Sequence, residues 1–410
     1  MSDRFINFFL YLFVLLGFIG GVYGASLLLI SCVFFILIIL FAKYWNKYAF
    51  FRLKVNKNLS RSRTDFGKKL YYSIEFHNRK ILPLIWLRIE EYINDNFEFT
   101  ADNLLRKALG KNMNILRDSI SLKWFEKVKR NYEIIPHQRG LFNFGKGSIY
   151  FNGLLGLYQN KIEVSNSEEL IVYPRIVPLK FFDIKESHIF GSSPRKGWIY
   201  KDPLNKVGVR PYQSTDSIKD INWKASARHM QLESNIYEPS YNKEIHIFLY
   251  SPGSNYWWEE QSKEKLELSI ICAASLVDKS IQKDLPVGFY SNLLSSRRLN
   301  KNYIEIQCDK NIKQRDKILT ALALIQPFSN KKAGNLMLEQ QNKIRKGATV
   351  IVITIEISEY LKRVLNKYNK SYNLKVIKLG EKTKQKMKNI ETYYVKEEGP
   401  WDEIENLEMV

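Results

Sequence analysis

"ATVIVITI", residues Ala348–Ile355, is the stretch that decides the fold class of the second half of this chain. It is a continuous run without a charged residue. A strand that faces water on one side alternates apolar with polar residues, whereas a strand covered on both faces reads as an unbroken apolar run. The stretch therefore predicts a parallel strand inside a sheet that has helices on both sides.

The sequence around this strand alternates between short strands and helices. "EIHIFLY" (Glu244–Tyr250) predicts the first strand, and the segment after it has one apolar helical face. The further predicted elements are a helix over Lys263–Ile281, a strand over Pro286–Leu293, helices near Lys317–Ile325 and Ile357–Tyr368, and a strand over Leu374–Leu379. This order is typical of a doubly wound α/β domain, here over residues 242–382, whose ligand site lies at the carboxyl ends of its strands.

The sequence before residue 166 predicts a different domain. In "KKLYYSIEFHN" (Lys68–Asn78) apolar side chains stand at every second position, as they do in a half-buried strand. Several similar segments follow, and an antiparallel β-sandwich is the natural way for such strands to bury their apolar faces. We expect the sandwich over residues 46–165, with a helical insertion within Asn96–Asn114, and a connector over residues 166–241.

Residues 1–45 are predicted to form a transmembrane hairpin. Phe5–Ala42 holds 38 residues without an Asp, Glu, Lys, Arg or His, which is close to two passes of roughly 20 residues each. Glycines near the middle mark the turn, so we place transmembrane helices near Ile6–Gly20 and Ala25–Ala42. A cleaved signal peptide is the alternative reading, but it needs only one apolar core.

Basic residues after the second helix predict its orientation. Lys43–Lys69 holds nine basic residues and one acidic residue, and positive residues stay on the cytoplasmic side of a membrane. Both termini and the soluble domains are therefore expected in the cytoplasm, with the basic stretch against anionic lipid headgroups of the cell membrane. The rest of the net charge of +21 is spread thinly, and we expect no nucleic-acid partner.

The end of the chain is acidic, and its cysteines are few. We expect a tail over residues 383–410, either a docking segment or solvated chain, because Glu391–Val410 holds seven acidic residues and one lysine. Cys32, Cys272 and Cys308 have the spacing of neither a zinc site nor a disulfide framework. They indicate thiols kept in a reducing compartment.

In "YQSTDSIKDINWKASAR" (Tyr212–Arg228), within the connector, charges of both signs surround one tryptophan. A helix through this stretch would bring Asp220 and Arg228 to one side. As a functional site, Asp216, Trp223 and Arg228 would form a polar site or a partner-docking face. An indole flanked by arginines is typical of interaction hot spots.

A buried structural network is the alternative for the same residues. Guanidinium groups would pair with carboxylates beneath Trp223 and fasten the connector to the α/β domain. The members of this network would be Arg210, Arg228, Asp216 and Asp220. Removing one partner from such a buried pair costs roughly 3–5 kcal/mol. Because no nucleophile–base pair accompanies the cluster, we favour the network and expect no catalytic residue.

The turn after the first α/β strand bears on metal binding. The order of elements resembles von Willebrand factor A-type domains, whose metal site uses Asp-x-Ser-x-Ser at this turn. Here the turn offers the hydroxyls of Ser251 and Ser254 without the carboxylate, and a hard divalent cation needs anionic oxygen. We therefore expect a degenerate site that holds no metal, and no cofactor elsewhere in the chain.

Two segments of the connector carry a family resemblance. The first supplies Val172, Tyr173, Pro174, Arg175 and Pro178, and the second supplies Arg210, Tyr212, Asp216, Ile221, Trp223, Ala227 and Arg228. In their order and spacing these residues resemble the bacterial family that carries domain of unknown function 58 (DUF58). Its segments read V-Y-P-R-x-x-P and G-x-x-x-R-x-Y-x-x-G-D-x-x-R-x-I-D-W-x-x-x-A-R. The resemblance covers essentially the whole chain, including the two leading membrane helices.

The resemblance implies a partner rather than a reaction. DUF58 proteins are commonly encoded beside MoxR-type AAA+ ATPases and other von Willebrand A-type membrane proteins. A membrane-anchored, non-enzymatic adaptor that helps such an ATPase assemble or remodel membrane or envelope proteins is therefore expected. An enzyme that uses Asp216, Asp220 and Arg228 is the alternative, and a nucleic-acid-binding protein a further one. The sequence departs from the family pattern at Thr215, in place of glycine, and at Asn222, in place of aspartate.

Overall fold

The structure is a computed structural model. It describes residues 3–100, 105–107, 113–153, 159–164, 168–180, 200–240, 244–251, 260–297, 303–329, 331–332, 334–380, 390–395, 401 and 404–408. The chain divides into two compact units, Met1–Tyr173 and Pro174–Val410. The second unit therefore begins within the connector that the sequence predicts over residues 166–241.

Two apolar helices begin the first unit, α1 (Asp3–Val22) and α2 (Ser26–Lys47). Gly24 lies between them with a φ of 71°, a left-handed conformation that glycine adopts without strain. The helices contact each other through Phe13 and Phe35, whose stacked rings have centroids 5.0 Å apart. They form a helical hairpin.

One of these helices is long and apolar enough to cross a membrane. In the part of the chain that the structure describes, only Ser26–Lys47 has both the length and the composition, and the apolar helix Asn7–Val22 before it is shorter. A signal sequence near an N-terminus has the same two properties. The structure therefore supports one possible span where the sequence predicts two.

The rest of the first unit is built of strands. They are β1 (Leu53–Leu59), β2 (Arg63–Thr64), β3 (Leu70–Asn78), β4 (Leu84–Asn94), β5 (Phe97–Phe99), β6 (Leu105–Lys107), β7 (Met113–Leu122), β8 (Lys127–Pro136), β9 (Gly140–Phe144), β10 (Gly147–Asn152), β11 (Gln159–Val164) and β12 (Glu168–Val172). One sheet has the order β1-β3-β8-β5, a second has β11-β10-β4-β7-β6, and a small third has β2-β12-β9. The two larger sheets are antiparallel throughout.

Alternating side chains explain this sandwich. In β3, Leu70, Tyr72, Ile74 and Phe76 are buried, and the residues between them are half-buried or exposed. The buried ones share one core with apolar side chains of the second sheet. The predicted β-sandwich is thus confirmed. The helical insertion expected within Asn96–Asn114 is wrong for the described residues there, which form β5, β6 and the start of β7.

A buried ion pair joins the two large sheets. Lys57 of β1 pairs with Glu91 of β4, and their side chains are 1% and 0% exposed. The Lys57 ammonium also donates to the Gly145 carbonyl (2.8 Å), while the Tyr72 hydroxyl donates to the second Glu91 oxygen (2.6 Å). Burial raises the pKa of Tyr72, so the hydroxyl stays protonated. Any packing that separated these strands would leave an uncompensated buried charge, which is strongly unfavourable.

The second unit combines strands with helices. Its strands are β13 (Leu179–Lys180), β14 (Tyr200–Pro211), β15 (Glu233–Ser240), β16 (Ile245–Tyr250), β17 (Val287–Ser291), β18 (Leu293–Ser295), β19 (Ile304–Asp309), β20 (Ile325–Ser329), β21 (Thr349–Thr354), β22 (Asn373–Leu379), β23 (Glu391–Val395) and β24 (Leu407–Glu408). Its helices in the described residues are α3 (Trp223–His229), α4 (Glu260–Gln282), α5 (Lys313–Ala323), α6 (Asn335–Gln340) and α7 (Glu359–Tyr368). The main sheet has the order β19-β17-β16-β21-β22-β23, and only β19 is antiparallel to its neighbour.

Strand β21 is the interior strand that its sequence predicts. It pairs in parallel with β16 and β22, and Val350–Ile353 are fully buried. Side chains of α6 and α7, among them Leu336 and Tyr368, pack with Val350 and Val352 in one core. Helix α4 contacts the same strands, but none of its residues belongs to that core. Because successive residues of a strand point to opposite faces, α4 covers the other side of the sheet. The α/β domain is thus confirmed, as a mixed sheet with one antiparallel edge.

Part of the predicted acidic tail belongs to the second unit. Strand β23 extends the main sheet beside β22, and β24 pairs in parallel with β13. Ile404 and Leu407 are buried. The described residues of 383–410 therefore contribute apolar side chains to the unit instead of forming a separate segment.

Candidate functional site

The charged stretch Tyr212–Arg228 lies in a loop that leaves a two-stranded ribbon. Strands β14 and β15 pair antiparallel, with Arg210 opposite Ser234. Residues 212–232 connect them, and we call this connection the Trp223 loop. It contains a short 3₁₀ helix (Ile218–Asp220) followed by α3.

The first part of the loop is closed by an ion pair. The Arg210 guanidinium donates to one oxygen of Asp216 (2.6 Å), and the Gln213 amide donates to the other (3.0 Å). The Tyr212 hydroxyl donates to the Asp216 carbonyl (3.3 Å). The Asp216 side chain is 7% exposed. Both carboxylate oxygens thus hold the loop in shape, and this arrangement is not that of an acid poised to act on a substrate.

Helix α3 begins at Trp223, so Asp220 and Arg228 do not share one helix as the sequence analysis expects. Ser217, which precedes the 3₁₀ helix, makes no side-chain capping bond. Instead Asn222 caps α3 and accepts from the Ala225 amide (3.0 Å). Asparagine and aspartate are about equally good N-caps. Asn222 therefore caps α3 about as well as the aspartate of the DUF58 pattern would, and position 222 has a structural task.

Two residues fasten α3 to β15. The Ser226 hydroxyl donates to the Asn222 carbonyl (2.8 Å) and accepts from the Glu233 amide (2.9 Å). Nδ1 of His229 lies 2.6 Å from a carboxylate oxygen of Glu233, whose side chain is 5% exposed. The Asn222 amide also donates to the Glu233 carbonyl (2.8 Å). One face of the short helix is thereby held at several points.

The opposite face of α3 points to solvent. Trp223 is 67% exposed, and Lys224, Ala227 and Arg228 are exposed as well. Arg228 forms no hydrogen bond or ion pair within the described residues, so its predicted membership of the buried network is wrong. Arg210 and Asp216 are the pair that forms. The charged stretch is therefore partly a structural network and partly an outward surface.

The other sequence-predicted residues lie elsewhere. Tyr173 and Pro174 are buried and Arg175 is half-buried. The Tyr173 amide donates to the Thr64 carbonyl (2.8 Å), and the Val177 amide donates to the Ser275 hydroxyl (3.0 Å). The backbone of this motif is thus used for packing within each unit.

The turn after β16 lies at the switch point of the main sheet, because β17 and β21 flank β16. Its described residue, Ser251, is held by Asn292, which accepts from the Ser251 amide (3.4 Å) and donates to the Ser251 carbonyl (3.1 Å). Asn292 also donates to the Ser329 hydroxyl (2.8 Å). Ser254 lies outside the described residues. Asn292, which the sequence analysis missed, thus ties this edge together.

The thiols of Cys272 and Cys308 are poor nucleophiles at neutral pH. Burial raises the pKa of Cys272 to about 12, and burial is also the main reason that the pKa of Cys308 is raised to about 12. A thiol must ionise to attack. The sequence analysis also missed the His229–Glu233 pair, because Glu233 lies in β15 beyond the end of α3 and the spacing of four residues is not a helical one.

Comparisons with known proteins show one distant relationship and assign no function. No family model matches the chain. The chain is distantly homologous to "Uncharacterized protein YeaD" of Bacillus subtilis (strain 168), with 22% identity over 280 residues, 67% of this chain. The match spans 63% of the length of that relative.

Two solved structures align with 29% of this chain each. A cohesin module from a Clostridium perfringens family 33 glycoside hydrolase is 11% identical, with a TM-score of 0.22 and 96% of the module covered. The CARDB domain of the PF1109 protein from Pyrococcus furiosus is 13% identical, with a TM-score of 0.19 and 91% covered. At such TM-scores neither likeness bears on fold or function.

Replacing Asn222 tests its capping task. We expect Asn222→Ala to destabilise α3 by about 1 kcal/mol, which corresponds to about fivefold faster amide exchange. Asn222→Ser keeps a capping oxygen and should remain close to the natural chain. Hydrogen exchange followed by mass spectrometry over residues 222–230 measures both. Equal exchange in the natural chain and in Asn222→Ala would contradict the assignment.

Proposed function

We propose that this chain is a membrane-anchored, non-enzymatic adaptor of the DUF58 type, and that its Trp223 loop docks a protein partner. The motif resemblance makes a MoxR-type AAA+ ATPase the proposed partner. The shared task is assembly or remodelling of membrane or envelope proteins. In this proposal the second unit is a von Willebrand A-like body that presents the loop.

One observation carries the docking proposal: Trp223 is 67% exposed although it begins a helix that is fastened in place. Burial of a large apolar side chain stabilises a protein by about 1.5–3 kcal/mol. Most of this stabilisation is absent at Trp223 in the isolated chain, because the side chain lies in water. Tryptophan and arginine dominate the energetics of protein interfaces. Because α3 is already ordered, a partner would not need to immobilise it.

The surroundings of Trp223 indicate the chemistry of the partner. Three further apolar side chains of the loop are exposed: Ile218, Met230 and Leu232. The exposed charged side chains of the loop are basic: Lys219, Lys224 and Arg228. The nearby Asp216 carboxylate is neutralised by Arg210. An apolar pocket rimmed by carboxylates would complement this surface.

The exposed apolar surface of the N-terminal helices supports membrane anchorage. Side chains such as Phe18, Leu27 and Phe34 are largely exposed on α1 and α2. Soluble proteins rarely leave a contiguous apolar surface of this kind in water, whereas a bilayer would cover it. We therefore propose that both helices cross the membrane, with the soluble units on the cytoplasmic side where the basic residues after α2 belong.

The sandwich is locked to the exit of α2 at one end. The Lys80 ammonium donates to the carbonyls of Ala49 (2.5 Å) and Phe51 (2.9 Å). The Arg79 amide donates to the Arg52 carbonyl (3.1 Å), and the Phe125 amide donates to the Lys80 carbonyl (3.2 Å). We call residues 49–52, 79–82 and 123–125 the membrane-proximal end.

This end carries the side chains of a membrane interface. Large apolar residues are exposed on all three of its segments: Phe51, Ile81, Trp124 and Phe125. Basic residues accompany them: Arg52, Arg79 and Lys123. Aromatic rings favour the headgroup level of a bilayer and basic side chains favour anionic lipids. In the proposal, these loops rest on the membrane and fix the sandwich against it.

An enzyme remains the alternative, and one feature favours it. In the His229–Glu233 pair, Glu233 holds Nδ1 and the half-exposed imidazole could present Nε2 as a base. However, the nearby Ser226 hydroxyl is already bonded to the Asn222 carbonyl and the Glu233 amide. Turnover of an ester, amide or nucleotide substrate by the purified chain, lost in His229→Gln, would favour this alternative over the adaptor.

Truncation of the exposed side chains tests the docking proposal. Full-length chain is used to recover bound proteins from native membranes, beside Trp223→Ala and Arg228→Ala. We expect recovery of an AAA+ ATPase with the natural chain and roughly 30-fold weaker binding after either truncation, the loss typical of a hot spot. Because both side chains are exposed, the melting temperature should stay unchanged.

Matched variants keep the test specific. Trp86→Ala removes another exposed tryptophan, 54% exposed in the sandwich, and should leave recovery unchanged, as should nuclease treatment. Arg228→Lys keeps the charge and should retain part of the binding. Folded variants that recover the ATPase as well as the natural chain does would refute docking through this loop.

Photoactivatable lipids test the membrane-proximal end. In the chain reconstituted into bilayers with diazirine lipids, we expect lipid adducts on peptides that hold Ile81, Trp124 and Phe125, with more adducts when the bilayer contains anionic lipid. The turn at Asp95, beyond the far end of β4, is the internal control. Equal labelling of both ends of the sandwich would contradict the proposed seating.

A further inference from the structure

Three metal-ligating side chains converge at the amino end of the main sheet, at the edge opposite the Ser251 turn. They are Glu244, which precedes β16, His246 in β16 and Cys308 in β19. One ligand atom from each lies within 4.8 Å of the other two. His246 is buried, and Glu244 and Cys308 are half-buried.

The fold brings these residues together across three strands. Strand β17 lies between β16 and β19, and its Gly288 pairs with His246 on one side. A β-carbon at Gly288 would lie 3.2 Å from Nδ1 of His246 and 3.0 Å from the Cys308 amide nitrogen. The missing side chain of Gly288 therefore leaves the space in which His246 and Cys308 can approach each other.

Hydrogen bonds orient the imidazole of His246. The Tyr290 hydroxyl donates its proton to Gln307 (3.4 Å), and its oxygen lies 3.3 Å from Nδ1 of His246. That oxygen can accept from Nδ1–H, which leaves the lone pair on Nε2. Nε2 in turn lies 3.4 Å from a carboxylate oxygen of Glu244. Two electron-rich atoms thus face each other, an arrangement that a cation between them would stabilise.

The carboxylate of Glu244 is oriented as well. The other carboxylate oxygen lies 3.3 Å from Nη1 of Arg345. The backbone carbonyl of Glu244 accepts from the Thr349 amide (2.9 Å). Partners of this kind, which hold a ligand without touching the metal, are typical of metal sites. Tyr290 serves His246 in the same way that Arg345 serves Glu244.

We propose that Glu244, His246 and Cys308 bind one Zn²⁺ ion, with solvent as the fourth ligand. A nitrogen, a sulfur and an oxygen donor suit Zn²⁺, whereas Mg²⁺ and Ca²⁺ prefer oxygen alone. Tetrahedral bonds of about 2.0–2.3 Å to zinc separate the ligand atoms by about 3.3–3.7 Å. Nε2 of His246 and the Glu244 oxygen, 3.4 Å apart, already match this separation, and rotation of the half-buried Cys308 side chain would bring its sulfur to the same distance. On binding, the Cys308 thiol gives its proton to solvent and no atom changes oxidation state.

The site is distinct from the turn where von Willebrand A-type domains bind metal. It uses the opposite edge of the sheet and a different donor set. Three protein ligands leave one exchangeable position, as in zinc sites that bind or activate a further ligand. The inference does not depend on the adaptor proposal, since it involves neither the Trp223 loop nor the N-terminal helices.

Cobalt is the probe for this site. The full-length chain without a polyhistidine tag is purified in detergent, treated with a chelator, and titrated with Co²⁺. We expect one Co²⁺ per chain with a near-ultraviolet thiolate-to-cobalt absorption band, which disappears when one equivalent of Zn²⁺ is added. In Cys308→Ala the band should vanish, and Zn²⁺ binding should weaken about tenfold or more.

A second cysteine provides the matched control. Cys272→Ala removes a buried thiol of α4 and should keep the band and the stoichiometry. Two results would overturn the proposal: no saturable band in the natural chain, or a band that persists in Cys308→Ala. The first would mean that a proton alone lies between His246 and Glu244, and the second that cobalt binds elsewhere.

Discussion

Strand β21 must be shielded from solvent on both faces, and the arrangement of the second unit follows from that constraint. Its residues Val350–Ile353 expose nothing to water, so the sheet needs helices on each side. Helix α4 supplies one cover, and α6 and α7 supply the other. Because the covered sheet is rigid, its two edges and the β14–β15 ribbon become the places where function can be located.

The Trp223 loop shows how rigidity and exposure are combined. Its polar groups bind one another: Asp216 is used by Arg210, and Ser226 joins Asn222 to Glu233. These internal bonds hold α3 while its other face, with Trp223, stays in water. An active site uses the opposite arrangement, in which polar groups converge on an unfilled space. The polar groups of the loop are used in bonds that stabilise it, which supports its interpretation as a docking surface.

Periodicity in the sequence predicted the sandwich and the α/β domain, because burial imposes a period of two on β3 and an unbroken apolar run on β21. It failed where the outcome depends on a choice between local hydrogen bonds. Serine and asparagine both cap helices well. Asn222 is the cap that is used, and its backbone amide also bonds to Glu233 of the ribbon, whereas Ser217 makes no capping bond. Contacts between side chains on different strands could not be predicted for another reason. Cys308 approaches His246 because the register of three strands places both residues beside Gly288, and spacing along the chain does not reveal that register.

The most direct measurement is photocrosslinking from position 223. A benzophenone amino acid replaces Trp223 in the full-length chain, native membranes are irradiated, and the adducts are identified by mass spectrometry, with the same amino acid at Trp86 as the control. The account predicts one dominant, light-dependent adduct to an AAA+ ATPase at position 223 and its absence at position 86. Adducts to lipid alone, or the same proteins at both positions, would contradict the claim that the Trp223 loop is a protein-docking surface.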